Sequence, residues 1–365
     1  MAFIASVGVA NPPHEIKQDE AMTFVKTLFH GRFRNLERML RIFENGQVEK
    51  RYVSAPINWF ADKKPFHEKN KLYIDTAVTL SEEAVNRCLN SEKLRKNVDA
   101  TEIDAVFFVS TTGISAPSID AYLMNRLHFS PYTKRIPIWG LGCCGGASGL
   151  ARALEYCTTY PKSNVLLICV ELCSVTFQQD DTSKSNLIGT SLFGDGAACA
   201  LICGEQSSLR SSVSADYIPT FVHTEAVLMK DSLDVMGWDV QENGLYVIFS
   251  RDIPSLVHNW FAEEANRFLR KQQLSSADIT AFIAHPGGKK VLDAYAEALS
   301  LPEEKLDISR KILKEYGNMS SATILFVLKE FLNQHRSEGE HGLVCALGPG
   351  FSTEFVLLQW KPRDA

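Results

Sequence analysis

The 365-residue sequence has no long hydrophobic run. A membrane-spanning helix needs roughly 18 consecutive apolar residues, and the longest apolar stretches, such as 164–170, suit buried strands instead. The amino terminus has no basic leader, and polar residues follow within a few positions, so we expect a first strand there and no signal peptide. These absences predict a cytoplasmic protein without a stable membrane anchor.

The sequence also lacks an excess of positive charge. Lysine and arginine total 38 against 43 acidic residues, which gives a net charge of -5 and argues against nucleic acid as a partner. A local basic patch between 31 and 51 is either a solvated helix face or a site for phosphate groups. Its cations are Arg32, Arg34, Arg38, Arg41, Lys50 and Arg51.

The nine cysteines lack the pairing and spacing of a disulfide framework or a zinc site. Cys169 and Cys173, like Cys199 and Cys203, lie four residues apart, but no further Cys/His set follows either pair. Most of the thiols lie in apolar segments. We therefore expect reduced, buried thiols and no metal.

Strand-like and helix-like segments alternate along the chain, which predicts an α/β fold with sheets covered on both faces. The apolar segments that begin at Ala105 and Ala281 occupy corresponding positions in the two halves and suggest an internal duplication. The predicted helices span 20–45, 72–90, 150–159, 253–271 and 289–300, with one more ending near 333. The predicted strands span 103–110, 136–139, 165–170, 197–202, 279–284, 343–347 and 354–359.

A glycine-rich turn between a strand and a helix, Gly140–Gly149, carries Cys143. The helix dipole and the free N–H groups at a helix start stabilise a thiolate, so Cys143 is a candidate nucleophile. Gly140, Gly142 and Gly145 also match the Gly-x-Gly-x-x-Gly pattern of dinucleotide-binding folds. That alternative lacks the acidic residue about 20 positions further on that such folds use.

Two further polar residues accompany Cys143. His285 ends a strand and enters Pro-Gly-Gly, where an α/β sheet exposes ligand-binding residues. Asn318 precedes a helix in Tyr-Gly-Asn-Met-Ser, where asparagine is commonly a cap or turn residue. A thiolate, a histidine and an asparagine amide together suit thioester exchange and enolate stabilisation.

Over nearly its whole length the sequence resembles the type III polyketide synthases, the chalcone synthase-like enzymes. Five motifs in order carry the resemblance: Gly142-Cys-x-Gly-Gly146, Leu192-Phe-Gly-Asp-Gly-Ala-Ala198, Ala284-His-Pro-Gly-Gly288, Tyr316-Gly-Asn-Met-Ser320 and Gly348-Pro-Gly350. The resemblance implies a thiolase-like fold of two duplicated βαβαβαββ halves that form a five-layered αβαβα core. The halves would span 1–212, with the nucleophilic cysteine, and 213–365, with the histidine and asparagine.

The resemblance also implies roles for individual residues. Cys143, His285 and Asn318 would be catalytic, and Phe193 would separate the substrate tunnel from the cavity. The family cysteine is followed three residues later by glycine, which favours Cys143 over Cys144, a packing residue in our interpretation. The reaction would need no metal or redox cofactor, because coenzyme A thioesters, acyl-CoA and malonyl-CoA, are its substrates.

Coenzyme A binding would fall to Arg38 and Arg41, and Gly287 and Gly288 would let the backbone approach the pantetheine arm. A third basic position of the plant enzymes aligns with Asn45, so we expect a different arrangement of phosphate contacts here. A homodimer is expected by family analogy.

The acyl pocket would be lined by Thr111, Ser115 and Cys173, unless these small residues merely pack the core. Gly-Leu-Gly-Cys is closer to the bacterial alkylpyrone and alkylresorcinol synthases than to the plant enzymes, which suggests a long-chain acyl-CoA starter and alkylpyrone products. The alternatives are an initiation ketosynthase III, a hydroxymethylglutaryl-CoA synthase, or a non-catalytic acyl-CoA-binding protein that kept the fold.

Overall fold

A computed structural model describes residues 1–32, 36–250 and 252–364. Its strands are β1 Phe3–Ala10, β2 His14–Lys17, β3 Lys50–Val53, β4 Ala105–Val109, β5 Lys134–Ile138, β6 Asn164–Leu172, β7 Asp195–Cys203, β8 Tyr217–Leu228, β9 Met236–Gln241, β10 Gly244–Phe249, β11 Ile279–Ala284, β12 His341–Gly348 and β13 Ser352–Pro362.

The α-helices are α1 Gln18–Leu28, α2 Leu36–Asn45, α3 Phe66–Leu89, α4 Ile119–Arg126, α5 Gly145–Thr159, α6 Lys184–Leu192, α7 Ile253–Leu256, α8 Ala262–Lys271, α9 Lys289–Ala298, α10 Asp307–Tyr316 and α11 Thr323–Leu332. A π-helical turn, Val257–Phe261, joins α7 to α8. A 3-10 turn, Gly142–Cys144, precedes α5.

One nine-stranded sheet contains both halves of the chain, in the order β11-β12-β13-β8-β1-β7-β6-β4-β5. Reading outward from the middle, β1-β7-β6-β4 and β8-β13-β12-β11 have the same succession of antiparallel, antiparallel and parallel pairs. The duplication suggested by the segments at Ala105 and Ala281 is therefore visible in the strand order, because these segments are β4 and β11. Within the nine-stranded sheet the halves meet at β1 and β8, where Phe3 pairs with Thr220.

The layers follow from where the apolar side chains point. Helices α5 and α11 lie between the two halves of the sheet, and α11 is buried almost all round because it has a sheet on either side. Helix α3 covers the outer face of the first half, and α8 and α9 cover that of the second. The αβαβα succession of the thiolase-like fold is thus confirmed.

The structure differs from the predicted elements in several places. The predicted helix over 20–45 is two helices, α1 and α2, and Arg34 of the basic patch lies outside the described residues. Strand β7 begins at Asp195, before the predicted start at 197, and the hairpin of β9 and β10 was not predicted. The predicted boundary at 212/213 falls in the irregular segment between β7 and β8. None of the helices in the described ranges is long and apolar enough to cross a membrane.

Candidate active site

Cys143 lies in the 3-10 turn that leads from β5 into α5, as the glycine pattern predicts. Gly142 adopts a φ of +48°, and a Cβ there would lie 2.6 Å from Pro349. A Cβ on Gly146 would lie 2.3 Å from the carbonyl oxygen of Ser321. The glycines therefore let protein segments pack against the turn, which removes the space that the dinucleotide alternative would need.

Asn318 contacts Cys143 across the boundary between the two halves. The Cys143 Sγ lies 3.9 Å from the Asn318 Oδ1 and 4.0 Å from its Nδ2. The backbone N–H of Ser320 donates to Oδ1 at 2.8 Å, and Nδ2 donates to the carbonyl oxygen of Gly287 at 3.4 Å. These bonds orient the amide with its N–H group toward the turn that follows His285.

His285 follows β11, an edge strand of the sheet, as predicted. The imidazole is buried instead of exposed, with 2% of its surface accessible, because the turn from 285 to 288 folds against Asn318 and Leu192. Neither ring nitrogen has a hydrogen-bond partner within the described ranges. Buried polar atoms are normally paired, so both ring nitrogens are available to a substrate.

Phe193 is joined to Asn318 by the backbone. The two residues form an isolated parallel bridge, in which the Asn318 N–H donates to Leu192 O at 2.8 Å and the Gly194 N–H donates to Asn318 O at 3.0 Å. The phenyl ring lies 5.6 Å from the ring of Phe249 and 6.3 Å from that of Trp238, both in the β9–β10 region. The candidate gate residue and the candidate amide donor therefore share one rigid backbone unit.

Burial disfavours charge on both titratable members of the site. It raises the pKa of the Cys143 thiol to about 11 and lowers the pKa of His285 to about 3. An isolated thiolate or an isolated imidazolium would thus be costly here. Charge on either group would need an opposite charge close by, such as the one that a proton transfer from Cys143 to His285 would create.

Cys144 lies outside this arrangement. Its Sγ is 3.6 Å from the carbonyl oxygen of Ala346 and 3.6 Å from the Ser148 Oγ, and 2% of the residue is exposed. Burial raises its pKa to about 12. These contacts agree with the interpretation of Cys144 as a packing residue.

Glu171 is a buried acid beside the site that sequence reasoning missed. It accepts hydrogen bonds from the Thr111 N–H at 3.0 Å and from the hydroxyl groups of Thr111, Thr112 and Ser321. Burial raises its pKa to about 7. The signal in the sequence was a single acidic residue inside the apolar strand β6. A glutamate is almost never fully buried unless polar partners surround it.

The three predicted pocket residues have different positions. Cys173 lines a largely apolar cavity that opens to the solvent. The Thr111 hydroxyl is bonded to Glu171, and the Ser115 hydroxyl donates to Pro117 O at 2.7 Å; neither residue lines the cavity. The cavity walls also include Phe24, Ile57, Phe60, Phe193 and Val247.

The predicted coenzyme A residues lie on two elements. Arg38 and Arg41 are exposed on α2, which packs against α6, the helix that leads to Phe193. Asn45 is exposed at the end of α2. Gly287 accepts the Asn318 hydrogen bond, and Gly288 precedes α9. Arg51, counted in the same basic patch, is instead buried in β3.

The sequence is similar to known proteins over nearly its whole length. Two family models, the N-terminal and C-terminal domains of chalcone and stilbene synthases, match residues 1–206 and 221–361. A putative chalcone synthase of Bacillus subtilis (strain 168) is 52% identical over 363 residues, 99% of each chain. A 1,3,6,8-tetrahydroxynaphthalene synthase of Streptomyces peucetius subsp. caesius is 35% identical over 98% of this chain and 93% of its own.

Among solved structures, the 1,3,6,8-tetrahydroxynaphthalene synthase of Streptomyces coelicolor A3(2), a bacterial type III polyketide synthase, superposes with a TM-score of 0.90 at 28% identity and covers 98% of this chain and 99% of its own. These matches decide against the ketosynthase III, hydroxymethylglutaryl-CoA synthase and non-catalytic alternatives. This chain belongs to the chalcone and stilbene synthase family and is a type III polyketide synthase, an acyltransferase that condenses malonyl-CoA.

Proposed function

We propose that the enzyme loads a long-chain acyl-CoA starter on Cys143, extends it with malonyl-CoA and cyclises the product to an alkylpyrone or an alkylresorcinol. The observation that carries the proposal is the apolar cavity bounded by Phe193 and Cys173, because an alkyl chain gains stability from burial against such walls. The family relationship supports the thioester chemistry, and the apolar cavity supports the choice of a long-chain starter.

In the loading step, the Cys143 thiolate attacks the carbonyl carbon of the acyl-CoA. The C–S bond to coenzyme A then breaks, and the departing thiolate takes a proton from His285. The helix α5 starts beside Cys143, so its dipole also favours the thiolate. The product of this step is an acyl group held on Cys143 as a thioester.

In the extension step, the Asn318 amide and His285 hold the thioester oxygen of malonyl-CoA. When CO₂ leaves, the electron pair of the broken C–C bond becomes an enolate, whose oxygen these N–H donors stabilise. The enolate carbon attacks the acyl group on Cys143, and Sγ leaves as the thiolate. Phe193, fixed beside Asn318, limits the access of water to the enolate.

Replacing His285 by glutamine is expected to raise the pH midpoint for alkylation of Cys143 by about 2 units or more. The thiolate is the form that reacts. Without an imidazolium beside it, the thiolate has only the burial that disfavours its charge, so it appears only at higher pH. Iodoacetamide rates followed from about pH 5 to 10 measure this shift, because the wild-type rate should reach a plateau in this range while the rate of the variant still rises at its upper end.

Two controls accompany this experiment. Cys143→Ala gives the background from the other thiols, and His341→Gln removes a histidine that contacts Gln359 far along the sheet. Equal midpoints in the wild type and His285→Gln would refute the ion pair.

Cys173→Phe is expected to reduce kcat/KM for a long-chain starter by about 10-fold more than for a short-chain starter, because the added ring fills the cavity that a short chain leaves empty. Incubation with acyl-CoAs of graded length plus malonyl-CoA, followed by mass spectrometry of the products, measures the effect. Val247→Phe, at another residue of the cavity wall, is a second variant of the same kind. An equal loss for all starters in both variants contradicts the proposed cavity role.

The same product experiment tests a second candidate. Relatives named 1,3,6,8-tetrahydroxynaphthalene synthase and, in Pseudomonas fluorescens, phloroglucinol synthase favour an aromatic product without an alkyl chain. If the wild type formed only such a compound from malonyl-CoA and no alkylated product with any acyl-CoA, the long-chain starter would be excluded.

Arg38 and Arg41 are proposed to bind the phosphate groups of coenzyme A, because both are exposed cations on one helix. Charge reversal at Arg41 (Arg41→Glu) should then raise KM for acyl-CoA while KM for the N-acetylcysteamine thioester, which lacks the phosphates, stays unchanged. A parallel rise for both substrates would exclude the phosphate role.

We also propose a homodimer that works in the cytoplasm. Strand β5 is an edge strand with exposed residues, and the neighbouring Trp139 is 55% exposed. An uncovered edge of this kind pairs readily with another strand. Light scattering after size exclusion should give twice the mass of one chain; the mass of a single chain would exclude the dimer.

A further inference from the structure

Arg51 is a buried cation with no carboxylate partner. It lies in β3 with 3% of its surface exposed, and no acid of the described residues forms an ion pair with it. Burial lowers its pKa to about 10, so the guanidinium remains charged at neutral pH. An uncompensated buried charge strongly destabilises a folded protein. The groups that accept hydrogen bonds from Arg51 must therefore offset the cost of removing its charge from water.

Those groups are the carbonyl oxygens at the carboxyl end of α6. Arg51 Nη2 donates to Ser191 O at 2.9 Å, and Nη1 donates to Phe193 O at 3.2 Å and to Thr190 O. The last carbonyl groups of a helix have no partner within the helix and carry the negative end of its dipole. A single planar fork therefore binds three carbonyl groups in the last turn of α6, the third of which belongs to the candidate gate residue Phe193.

The stem of Arg51 also packs against both segments of the bridge between Phe193 and Asn318. A Cβ on Gly194 would lie 3.3 Å from the Arg51 Cβ, and one on Gly317 would lie 3.6 Å from it. The guanidinium and the stem thus contact the two strands of the bridge at once, and the position of the Asn318 amide depends on that bridge.

Gln18 completes the arrangement. Its amide oxygen accepts from Arg51 Nη2, while its Nε2 donates to Ser191 O at 3.1 Å and to Phe43 O at 3.0 Å. Phe43 belongs to α2, the helix that carries Arg38 and Arg41. The Gln18 amide therefore connects the exposed basic helix to the carboxyl end of α6.

We propose that Arg51, supported by Gln18, is a positioning residue for decarboxylation: by binding the carboxyl end of α6 it fixes Phe193 and, through the Phe193–Asn318 bridge, the amide that faces Cys143. The proposal rests on the role of Asn318 stated above. A displacement of such a donor by about 1 Å costs on the order of 100-fold in rate. Acylation of Cys143 depends on the thiol and His285, so it should be much less sensitive.

The test compares Arg51→Met, which keeps length but removes the fork, with Arg51→Lys, which keeps the charge. Starter-free conversion of malonyl-CoA to acetyl-CoA and CO₂ is measured as kcat and KM, and the rate of Cys143 acylation is measured on the same samples. Rates are divided by the folded fraction, measured by circular dichroism on the same samples, so partial unfolding does not change them.

We expect Arg51→Met to lower kcat for decarboxylation about 10- to 100-fold, with acylation within about threefold of the wild type and Arg51→Lys in between. The matched control is Arg336→Met, another largely buried arginine with an unpaired Nε, which lies far along the chain against Phe331 and Trp360. It should lower Tm without changing either rate per folded molecule.

A decarboxylation kcat for Arg51→Met within about threefold of the wild type, or an equal loss of decarboxylation and acylation, would overturn the positioning role. If Arg51→Met does not fold, Arg51→Lys and Gln18→Leu are judged by the same two rates. Failure of the long-chain proposal would appear as missing alkylated products in the wild type, which leaves both rates measurable. Failure of the Asn318 role would appear as unchanged decarboxylation in Asn318→Asp.

Discussion

Cys143→Ala is expected to lower polyketide formation by more than about 1,000-fold, because no other thiol can carry the growing chain. The nine cysteines are all buried, and among them Cys143 is the one that contacts Asn318. Alanine removes only the sulfur atom, so the turn at Gly142 should keep its shape. Mass spectrometry of products, and of the intact protein for an added acyl mass, measures both consequences.

The matched control is the neighbouring thiol. Cys144→Ala should keep product formation within about threefold of the wild type, with a small loss of stability from the cavity it leaves. Its sulfur faces Ala346 and Ser148 instead of the site. Unchanged products from Cys143→Ala, or an acyl group found on Cys144, would show that the assignment is wrong.

Asn318→Asp is expected to lower malonyl-CoA decarboxylation by about 100- to 1,000-fold, the usual cost of losing one donor to a developing oxyanion. The substitution keeps the shape of the side chain but replaces the Nδ2 donor, which lies 4.0 Å from the Cys143 Sγ, with an oxygen. A carboxylate there would also repel the enolate. Acetyl-CoA formed without a starter measures the effect separately from loading.

Asn164→Asp is the control for placing an acid at a buried asparagine. Asn164 is 6% exposed and its Nδ2 donates to Glu102 O at 3.0 Å, but it lies at the start of β6 away from Cys143. It should lose about 1–3 kcal/mol of stability and keep its rate per folded molecule. Decarboxylation by Asn318→Asp within about threefold of the wild type would contradict the donor role.

Local patterns predicted much of the site because its chemistry lies at strand and helix ends. The glycines around Cys143, the strand end before His285 and the turn at Asn318 are each visible in a few neighbouring residues. Their contact across the two halves is not local; the family resemblance supplied it. The structure then showed a distance of 3.9 Å between Cys143 and Asn318.

The sequence could not predict which of the polar and small side chains are buried and which partners they have. Arg51 and Arg38 look alike in a run of basic residues, yet one is enclosed by backbone carbonyl groups and the other is in solvent. Thr111 and Cys173 are both small, but the Thr111 hydroxyl donates a hydrogen bond to Glu171, whereas Cys173 lines the cavity. Such differences arise from strands distant in sequence, which no local pattern encodes.

The strand order of the nine-stranded sheet, in which β1 and β8 pair at its middle, has a consequence for how the chain folds. Strand β1 cannot pair until β7 has been synthesised nearly 200 residues later, and β8 stays incomplete until β13, close to residue 362, lies beside it. Loop closures of this length make folding slow and expose unpaired edges meanwhile. A nascent chain therefore remains vulnerable to misassembly until β13 has been synthesised.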